Sequence, residues 1–417
     1  MRAEIISIGD ELLIGQVINT NQAYIAEQLN GVGVAVAQMT TVGDEEEPML
    51  KAFEDAFGRH EIVVVTGGLG PTHDDITRKA VCRFFQTDLV LNEEALRRVR
   101  QFFARRGIAP RKINEDQALV PRGCTAIENL QGTAPGYLFE REKRCFIVMP
   151  GVPFEMKAMV QDFVVPFFAD RLTGTVIQHR TLKTTGIGES FLAEQIGDVH
   201  EIFPPHSGIT LAFLPGPLGT RLRISVRTRS PKDAEEKIRV VEEKIRARAS
   251  KYIYGADEEE LEEVVGRLLT ERKLTLSVAE SCTGGLIADR ITNVPGSSNY
   301  FERGMITYSN QSKVAELNVP STLIQEHGAV SREVAEAMAT GVRTKSGTDI
   351  GLSTTGIAGP SGGTPDKPVG LVWIGYSDGR ETLALRFNFG DNRRRVKERA
   401  SQAALELVRR KLLKIDQ

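Results

Sequence analysis

The sequence predicts an α/β protein of three successive domains, and three observations carry that reading. From Met1 to about Asp170, strand-like and helix-like stretches alternate, which is the pattern of a largely parallel sheet covered by helices. The next stretch, to about Tyr254, is shorter and mixed, with two strand-like runs joined by Gly216-Pro217-Leu218-Gly219. Beyond an acidic run at Asp257–Glu263, an apolar strand enters the turn Ala279-Glu280-Ser281-Cys282-Thr283-Gly284-Gly285, around which the last domain is organised. The expected domains are therefore 1–170, 171–256 and 257–417.

Composition narrows the class. In 417 residues, 41% are hydrophobic and 26% charged, enough apolar side chains for several cores. The formal net charge of −2 gives no global attraction to nucleic acid or anionic membrane. No basic, aromatic stripe suggests direct DNA contact. Cys82, Cys124, Cys145 and Cys282 show neither metal-ligand spacing nor a compact disulfide framework, as expected in a reducing compartment. The chain opens on a strand without a leader-like apolar segment, and no run approaches membrane length. A cytoplasmic protein is expected.

In the first domain the candidate strands are Glu4–Ile8, Val34–Met39, Ile62–Thr66 and Cys145–Met149, with amphipathic helices at Gln22–Leu29, Met49–Phe57 and Glu93–Phe103. Chemistry gathers where strands end, as doubly wound sheets require. The first strand leads to Gly9-Asp10-Glu11-Leu12-Leu13-Ile14-Gly15 and then Asn19-Thr20-Asn21; the third leads to Thr66-Gly67-Gly68-Leu69-Gly70-Pro71-Thr72-His73-Asp74-Asp75. Glycines with Thr66 and Thr72 suit a phosphate lying on backbone N–H groups. Asp74 and Asp75 would repel that phosphate unless a divalent cation bridged them. Two further loops fit the same pocket: Asn129–Gly136, containing Thr133, and Pro150–Met156, containing Gly151 and Glu155.

The middle stretch reads as strand Arg180–Thr184, helix Ser190–Ile196, strands Ile209–Leu214 and Leu222–Arg227, and helix Ala234–Ala247. Ser230-Pro231-Lys232-Asp233 carries the signals of a helix start, with Ser230 as N-cap. Gly216–Gly219 matches the GxxG of RNA-binding KH domains. That loop joins helices in a KH domain, however, whereas here it joins strands, so a connector or dimerisation module is expected.

In the last domain, Ser281 follows the apolar run Leu274–Val278 and precedes Leu286, Ile287 and Ile291 at helical spacing. Ser and Thr can cap such a helix, and N–H groups of the turn offer an oxyanion site. No histidine stands in a motif of this domain; His327 lies beside a turn. Lys313, in Tyr308-Ser309-Asn310-Gln311-Ser312-Lys313, is the candidate base for a Ser–Lys pair, with Tyr308 as proton relay. Thr354-Thr355-Gly356-Ile357-Ala358-Gly359-Pro360 is glycine-rich enough to wrap a phosphate or ribose, and Arg393 opens the final helix as a phosphate ligand. Thr184-Thr185-Gly186-Ile187-Gly188 in the middle domain shares the local turn chemistry without forming a repeat.

These motifs resemble the CinA (competence/damage-inducible) family over nearly the whole chain. G-D-E-L-L-x-G, T-G-G-L-G-P-T-x-D-D, G-T-A-P-G and P-G-V-P-x-E-M are similar to its molybdopterin-binding-like N-terminal domain. A-E-S-C-T-G-G, Y-S-N-Q-S-K and T-T-G-I-A-G-P-x-G-G are similar to its C-terminal domain, which also exists alone as the nicotinamide mononucleotide deamidase PncC. The resemblance implies a three-layer α/β/α domain like MogA and MoeA, a small KH-like α+β middle domain and an α/β CinA domain.

It also implies two hydrolases. One cleaves ADP-ribose to AMP and ribose 5-phosphate with a divalent metal (Mg, Mn or Co) on Asp10, Asp44, Asp74 and Asp75, and Asn21, Gly67, Gly68, Gly70, Thr72, Thr133, Gly151 and Glu155 around the substrate. The other, without a cofactor, deamidates nicotinamide mononucleotide. There Ser281, Lys313, Tyr308, Thr283, Thr355 and Arg393 are the expected catalytic residues, and Cys282, Gly284, Gly285, Asn310, Gly356, Ala358 and Gly359 contact substrate. A homodimer is expected by the same likeness. Asp391-Asn392-Arg393 departs from the family's usual G-D-R and leaves the loop partner of Arg393 open. Two rivals stand beside this reading: Cys282 as nucleophile, and a nucleotide-sensing accessory of competence or DNA repair that binds without turnover.

Overall fold

A computed structural model describes residues 1–70, 76–105, 107–171 and 176–415. They form two compact units, one of 1–178 with 226–235 and the other of 179–225 with 236–417. Among the described residues, no helix is long and apolar enough to cross a membrane.

The first unit is built on a six-stranded sheet in the order Ala35–Val42, Arg2–Ile8, Ile62–Thr66, Arg144–Met149, Gly136–Arg141, Thr125–Ile127. The first four are mutually parallel and the last two run antiparallel to their neighbours. Ile62–Thr66 is buried along its whole length, as a β-branched run covered on both faces should be. On one face Ile25 and Leu29 of helix Thr20–Gly31 pack with Met156, Val160 and Phe168; on the other, Met49 and Phe53 of helix Glu46–Arg59 pack with Val81 and Phe85. This makes the three layers that the sequence predicts.

Two features depart from the sequence reading. Gly136–Arg141 and Arg144–Met149 form a hairpin of which only the second strand is legible, because its turn uses Glu142 at φ 57° where a glycine or asparagine would have marked it. Pro153–Met159 is helix instead of loop, with Pro153 at its first turn, where a missing N–H costs nothing.

Ile209–Gly216, Gly219–Thr228, Val176–Thr184 and Ile253–Ala256 lie side by side in that order, and most of their residues belong to the second unit. Gly216–Gly219 is the hairpin turn expected, and a Cβ at Gly219 would sit 2.0 Å from the Thr184 carbonyl oxygen, which restricts the position to glycine. The other sheet of this unit runs Phe301–Ile306, Leu276–Glu280, Ile350–Gly356, Leu371–Ser377, Thr382–Asn388. Its first three strands are parallel, and the last two continue as an antiparallel meander. Leu261 and Leu269 of helix Leu261–Arg272 pack with Val396, Ala400 and Leu407 of helix Arg393–Leu413 in its largest core. Val334, Met338 and Val342 of helix Arg332–Ser346 cover Ala279 in a separate cluster. Leu276–Glu280 is therefore a fully buried inner strand, and whatever follows its carboxyl end is held from both sides.

Candidate functional site

Ser281 is the first residue beyond that inner strand, and its N–H donates to the Thr354 carbonyl at 3.0 Å, anchoring it to the neighbouring parallel strand. Thr307 follows the edge strand on the other side, and its N–H donates to the Glu280 carbonyl at 2.9 Å. Two residues later Ser309 caps the helix Asn310–Leu317, its side chain accepting from the Ser312 N–H at 3.0 Å. That cap sets the helix so that Lys313, in its first turn, points back across the sheet edge.

The result is a close pair. Lys313 Nζ donates to Ser281 Oγ at 3.0 Å, to the Thr307 carbonyl at 2.8 Å and to the Tyr308 carbonyl at 3.3 Å. Lys313 is 1% exposed and Ser281 8%. All three hydrogen-bond partners of the amine are neutral, and the loss of water around an ammonium, only partly offset by the Cys282 thiol, pushes its pKa down to about 8. A lysine so placed is neutral often enough near physiological pH to take a proton from a serine.

The turn after Ser281 is fixed by a residue for which the sequence reading had no role. The helix Leu286–Thr292 starts at Gly285, in the left-handed region at φ 96°, with no side-chain cap from Ser281 or Thr283 as expected there. Instead the buried Glu280 carboxylate reaches forward: Oε2 accepts from the Gly285 and Ile287 N–H groups at 3.0 and 3.1 Å, and Oε1 from Ala288 N–H at 2.9 Å. A negative group at a helix N-terminus is also attracted by the positive end of the helix dipole. Thr283, fully buried, pairs with Thr354 through hydroxyls 2.7 Å apart and ties the turn to the sheet. The N–H groups of Thr283 and Gly284 make no backbone–backbone hydrogen bond among the described residues, which leaves them available as donors beside Ser281. Lys397 stands there too, since a Cβ on Gly284 would lie 3.5 Å from its Nζ. It is a cation the sequence reading missed within the arginine-rich run.

The other expected residues divide. Tyr308 is 61% exposed, and its hydroxyl accepts from Arg393 Nη2 at 2.9 Å instead of joining the Ser281–Lys313 pair, so its relay role has no hydrogen-bonded path here. Arg393 also donates through Nη1 to the Gly359 carbonyl at 2.8 Å, which supplies the loop partner left open by Asp391-Asn392-Arg393. Asn392 has its own task as N-cap of the final helix, accepting from Arg395 N–H at 3.1 Å. Thr355 spends its hydroxyl on the Ala329 carbonyl at 2.7 Å. Ala358 is buried, and a Cβ at Gly356 would lie 2.7 Å from the Leu371 carbonyl oxygen, so both shape the loop sterically. Asn310 is exposed in the first turn of its helix. The buried Cys282 thiol is pushed up to about 12 by burial, the opposite of what a thiolate nucleophile needs. His327 is near Glu326 and Glu333, at 3.8 and 3.9 Å, and has no part in the pair.

The N-terminal loops form a second grouping. Asp10 and Asp44 interlock: Asp10 N–H donates to Asp44 Oδ2 at 3.0 Å, and Asp44 N–H to Asp10 Oδ1 at 3.1 Å. Two carboxylates clamped together at the ends of adjacent parallel strands are a fitting donor set for a hard cation. Among the described residues, no group of three or more metal-ligating side chains occurs. Thr72, Asp74 and Asp75 lie outside the described residues. Asn21 Nδ2 donates to the Gly151 carbonyl at 2.7 Å, drawing two of the expected loops together. Glu155 accepts from Asn129 Nδ2 at 2.7 Å beside Gly132 and Thr133, and burial raises its pKa. Gly67 is required: at φ 119° its Cβ would lie 2.2 Å from the Ile8 carbonyl oxygen. Gly68, at φ 63°, sits against Thr77, and Gly70 is half-buried.

Three family models match successive stretches of the chain. Residues 4–170 match the family described as "Probable molybdopterin binding domain", 179–255 the "Damage-inducible protein CinA KH domain", and 258–412 the "CinA C-terminal domain". A CinA-like protein of Chloroherpeton thalassium is 46% identical over 417 residues, covering 98% of this chain and 99% of its own. One from Dictyoglomus thermophilum is 45% identical over 415 residues, covering all of both chains (100% and 100%). Among solved structures, the competence/damage inducible protein from Agrobacterium tumefaciens is 36% identical, covering 36% of this chain and 94% of its own, with a TM-score of 0.35.

Proposed function

We propose a function from one premise: the chain belongs to the CinA (competence/damage-inducible) family. It is a bifunctional hydrolase of pyridine-nucleotide salvage. The C-terminal domain deamidates nicotinamide mononucleotide to nicotinate mononucleotide and ammonia, and the N-terminal domain hydrolyses ADP-ribose to AMP and ribose 5-phosphate. The observation that carries the first activity is the 3.0 Å contact between Ser281 Oγ and the buried Lys313 amine.

Neutral Lys313 takes the proton of Ser281 as Oγ attacks the carboxamide carbon. The oxygen of the tetrahedral intermediate accepts from the N–H groups of Thr283 and Gly284, with Lys397 adding positive charge beside it. The C–N bond breaks, and the Lys313 ammonium returns its proton to the leaving nitrogen, which departs as ammonia. Water then gives a proton to Lys313 and attacks the ester carbon. Ser281 is released and the pyridine ring carries a carboxylate. Arg393, held by Gly359 and Tyr308, is the cation for the substrate phosphate.

The pH dependence follows from the base. Its pKa lies near 8 in the folded protein, so the active neutral form is lost as pH falls below that value. kcat/KM for deamidation is expected to fall about tenfold per pH unit below pH 8 and to level off above it. A rate independent of pH from 6 to 9 would remove Lys313 as the base.

In the N-terminal domain, Asp10 and Asp44 would hold a divalent cation, which would supply charge neutralisation at the pyrophosphate. The chain itself offers backbone N–H groups of the Gly68–Gly70 loop to the phosphates and Glu155, with its raised pKa, as a proton carrier. Chelation is expected to stop ADP-ribose hydrolysis and spare deamidation, and Asp44→Asn to lower the former by about 100-fold or more. Product assays on the two substrates, with and without chelator, decide this. Equal loss of both activities would contradict two separate sites.

A further inference from the structure

Three sequence features that neither activity uses meet at one place in the second unit. The turn Thr185–Gly188, the hairpin Pro215–Thr220 and the middle of the final helix, Arg399–Arg410, together line a cavity of about 740 Å³. That volume is in the range of small-molecule sites, which favour such junctions between folded elements. None of its lining residues belongs to the Ser281 site.

The lining has a consistent chemistry. Leu385, Phe387 and Phe389 supply an apolar wall, the two rings being stacked 5.3 Å apart at 9°. Arg386 and Arg399 supply positive charge against Glu189, while Glu406 is matched by the buried Arg409 at 2.7 and 2.9 Å and lies 3.9 Å from Arg410. The glycine turn enters helix Glu189–Ile196 at Gly188 with no side-chain cap, so its first N–H groups face the same need for an acceptor. An independent observation comes from Gln402, 4% exposed and lining the cavity. Its Oε1 accepts from Arg290 at 2.8 Å, but its buried Nε2 meets no acceptor among the described residues. Native structures rarely strand such a donor, so an acceptor from outside the chain, a ligand atom or an ordered water, is called for.

We propose that this cavity binds a nucleoside monophosphate, with the phosphate on the arginines, the base against Phe387 and Phe389, and an acceptor atom of base or sugar on Gln402 Nε2. The glycine turns let backbone approach the ligand, as in other phosphate sites. A half-open cavity with a single aromatic wall suits one nucleotide better than a strand of RNA, which needs a positive groove with successive stacking platforms.

The test is equilibrium dialysis of the full-length protein against AMP, with chelator present and in an Asp44→Asn background to silence the N-terminal site. AMP is expected to bind, at least tenfold more weakly in Arg399→Glu and undetectably in Ala403→Trp, which fills the cavity. Lys313→Met should leave binding unchanged, and adenosine should bind at least tenfold more weakly than AMP. Melting temperatures report whether each variant folds, and Arg399→Glu, at a partly exposed position, carries the test should Ala403→Trp fail. AMP binding that is absent, that survives Arg399→Glu, or that is lost in Lys313→Met overturns the proposal. So does adenosine binding as tightly as AMP, or an RNA decamer whose binding alone responds to the cavity variants.

Discussion

Ser281→Ala is expected to lower ammonia release from nicotinamide mononucleotide by about 10⁴-fold or more, and Lys313→Met by a similar factor, measured as kcat in a coupled ammonia assay. The two residues act as one unit, so the double variant should be scarcely slower than either single one. The reason lies in the geometry. Removing the hydroxyl leaves the amine with two carbonyls and nothing to deprotonate, while removing the amine leaves the hydroxyl without a base. Substrate affinity should change little, because Arg393 and the Thr355–Gly359 loop are untouched. Residual activity above about 1% in Ser281→Ala would transfer the nucleophile elsewhere, with Cys282 the adjacent alternative.

Glu280→Gln is expected to cost about 2–3 kcal/mol of stability and to reduce deamidation by about one to two orders of magnitude in kcat, with KM little changed. A glutamine oxygen can still accept from Gly285 and Ile287, but its NH₂ would then face the Ala288 N–H, donor against donor. The side chain is 1% exposed, so no bulk water replaces the lost acceptor. The helix start would shift, and with it the N–H groups aimed at the oxyanion. Urea titration and steady-state kinetics on the same preparation measure both effects. Because Glu280 touches neither substrate nor the Lys313 amine, the pH limb near 8 should persist in this variant; its displacement would place Glu280 in the proton path.

How much of this was legible beforehand depends on the kind of signal. Lys313 could be read because it stands in a run that caps its own helix, with Ser309 four residues before it. The inner strand was legible from Leu274, Leu276 and Val278, apolar residues with only small hydroxyl residues between them. Glu280 was not, since an acid after an apolar strand looks like the first exposed residue of a loop; burial and three backbone donors make it structural, and both are tertiary facts. The same holds for Asp391-Asn392-Arg393. In sequence it is a departure from a motif, and in space Asn392 caps the helix while Arg393 still finds Gly359. Tyr308 misled in the opposite way: adjacency in sequence suggested a relay, but the chain turns its ring outward to Arg393 and gives only its carbonyl to Lys313. In the first domain the missed hairpin had no glycine at its turn, and the helix from Pro153 was hidden by the prolines and glycine that begin it.

The central claim is that Ser281 carries the acyl group between the two halves of the deamidation. The most direct measurement is acid quench of the protein during turnover of nicotinamide mononucleotide, followed by proteolysis and mass spectrometry. The account predicts an acyl adduct of the mononucleotide on the peptide bearing Ser281, assigned to the serine oxygen and absent from Ser281→Ala. An adduct on Cys282, or full turnover with no adduct at any quench time, would contradict it.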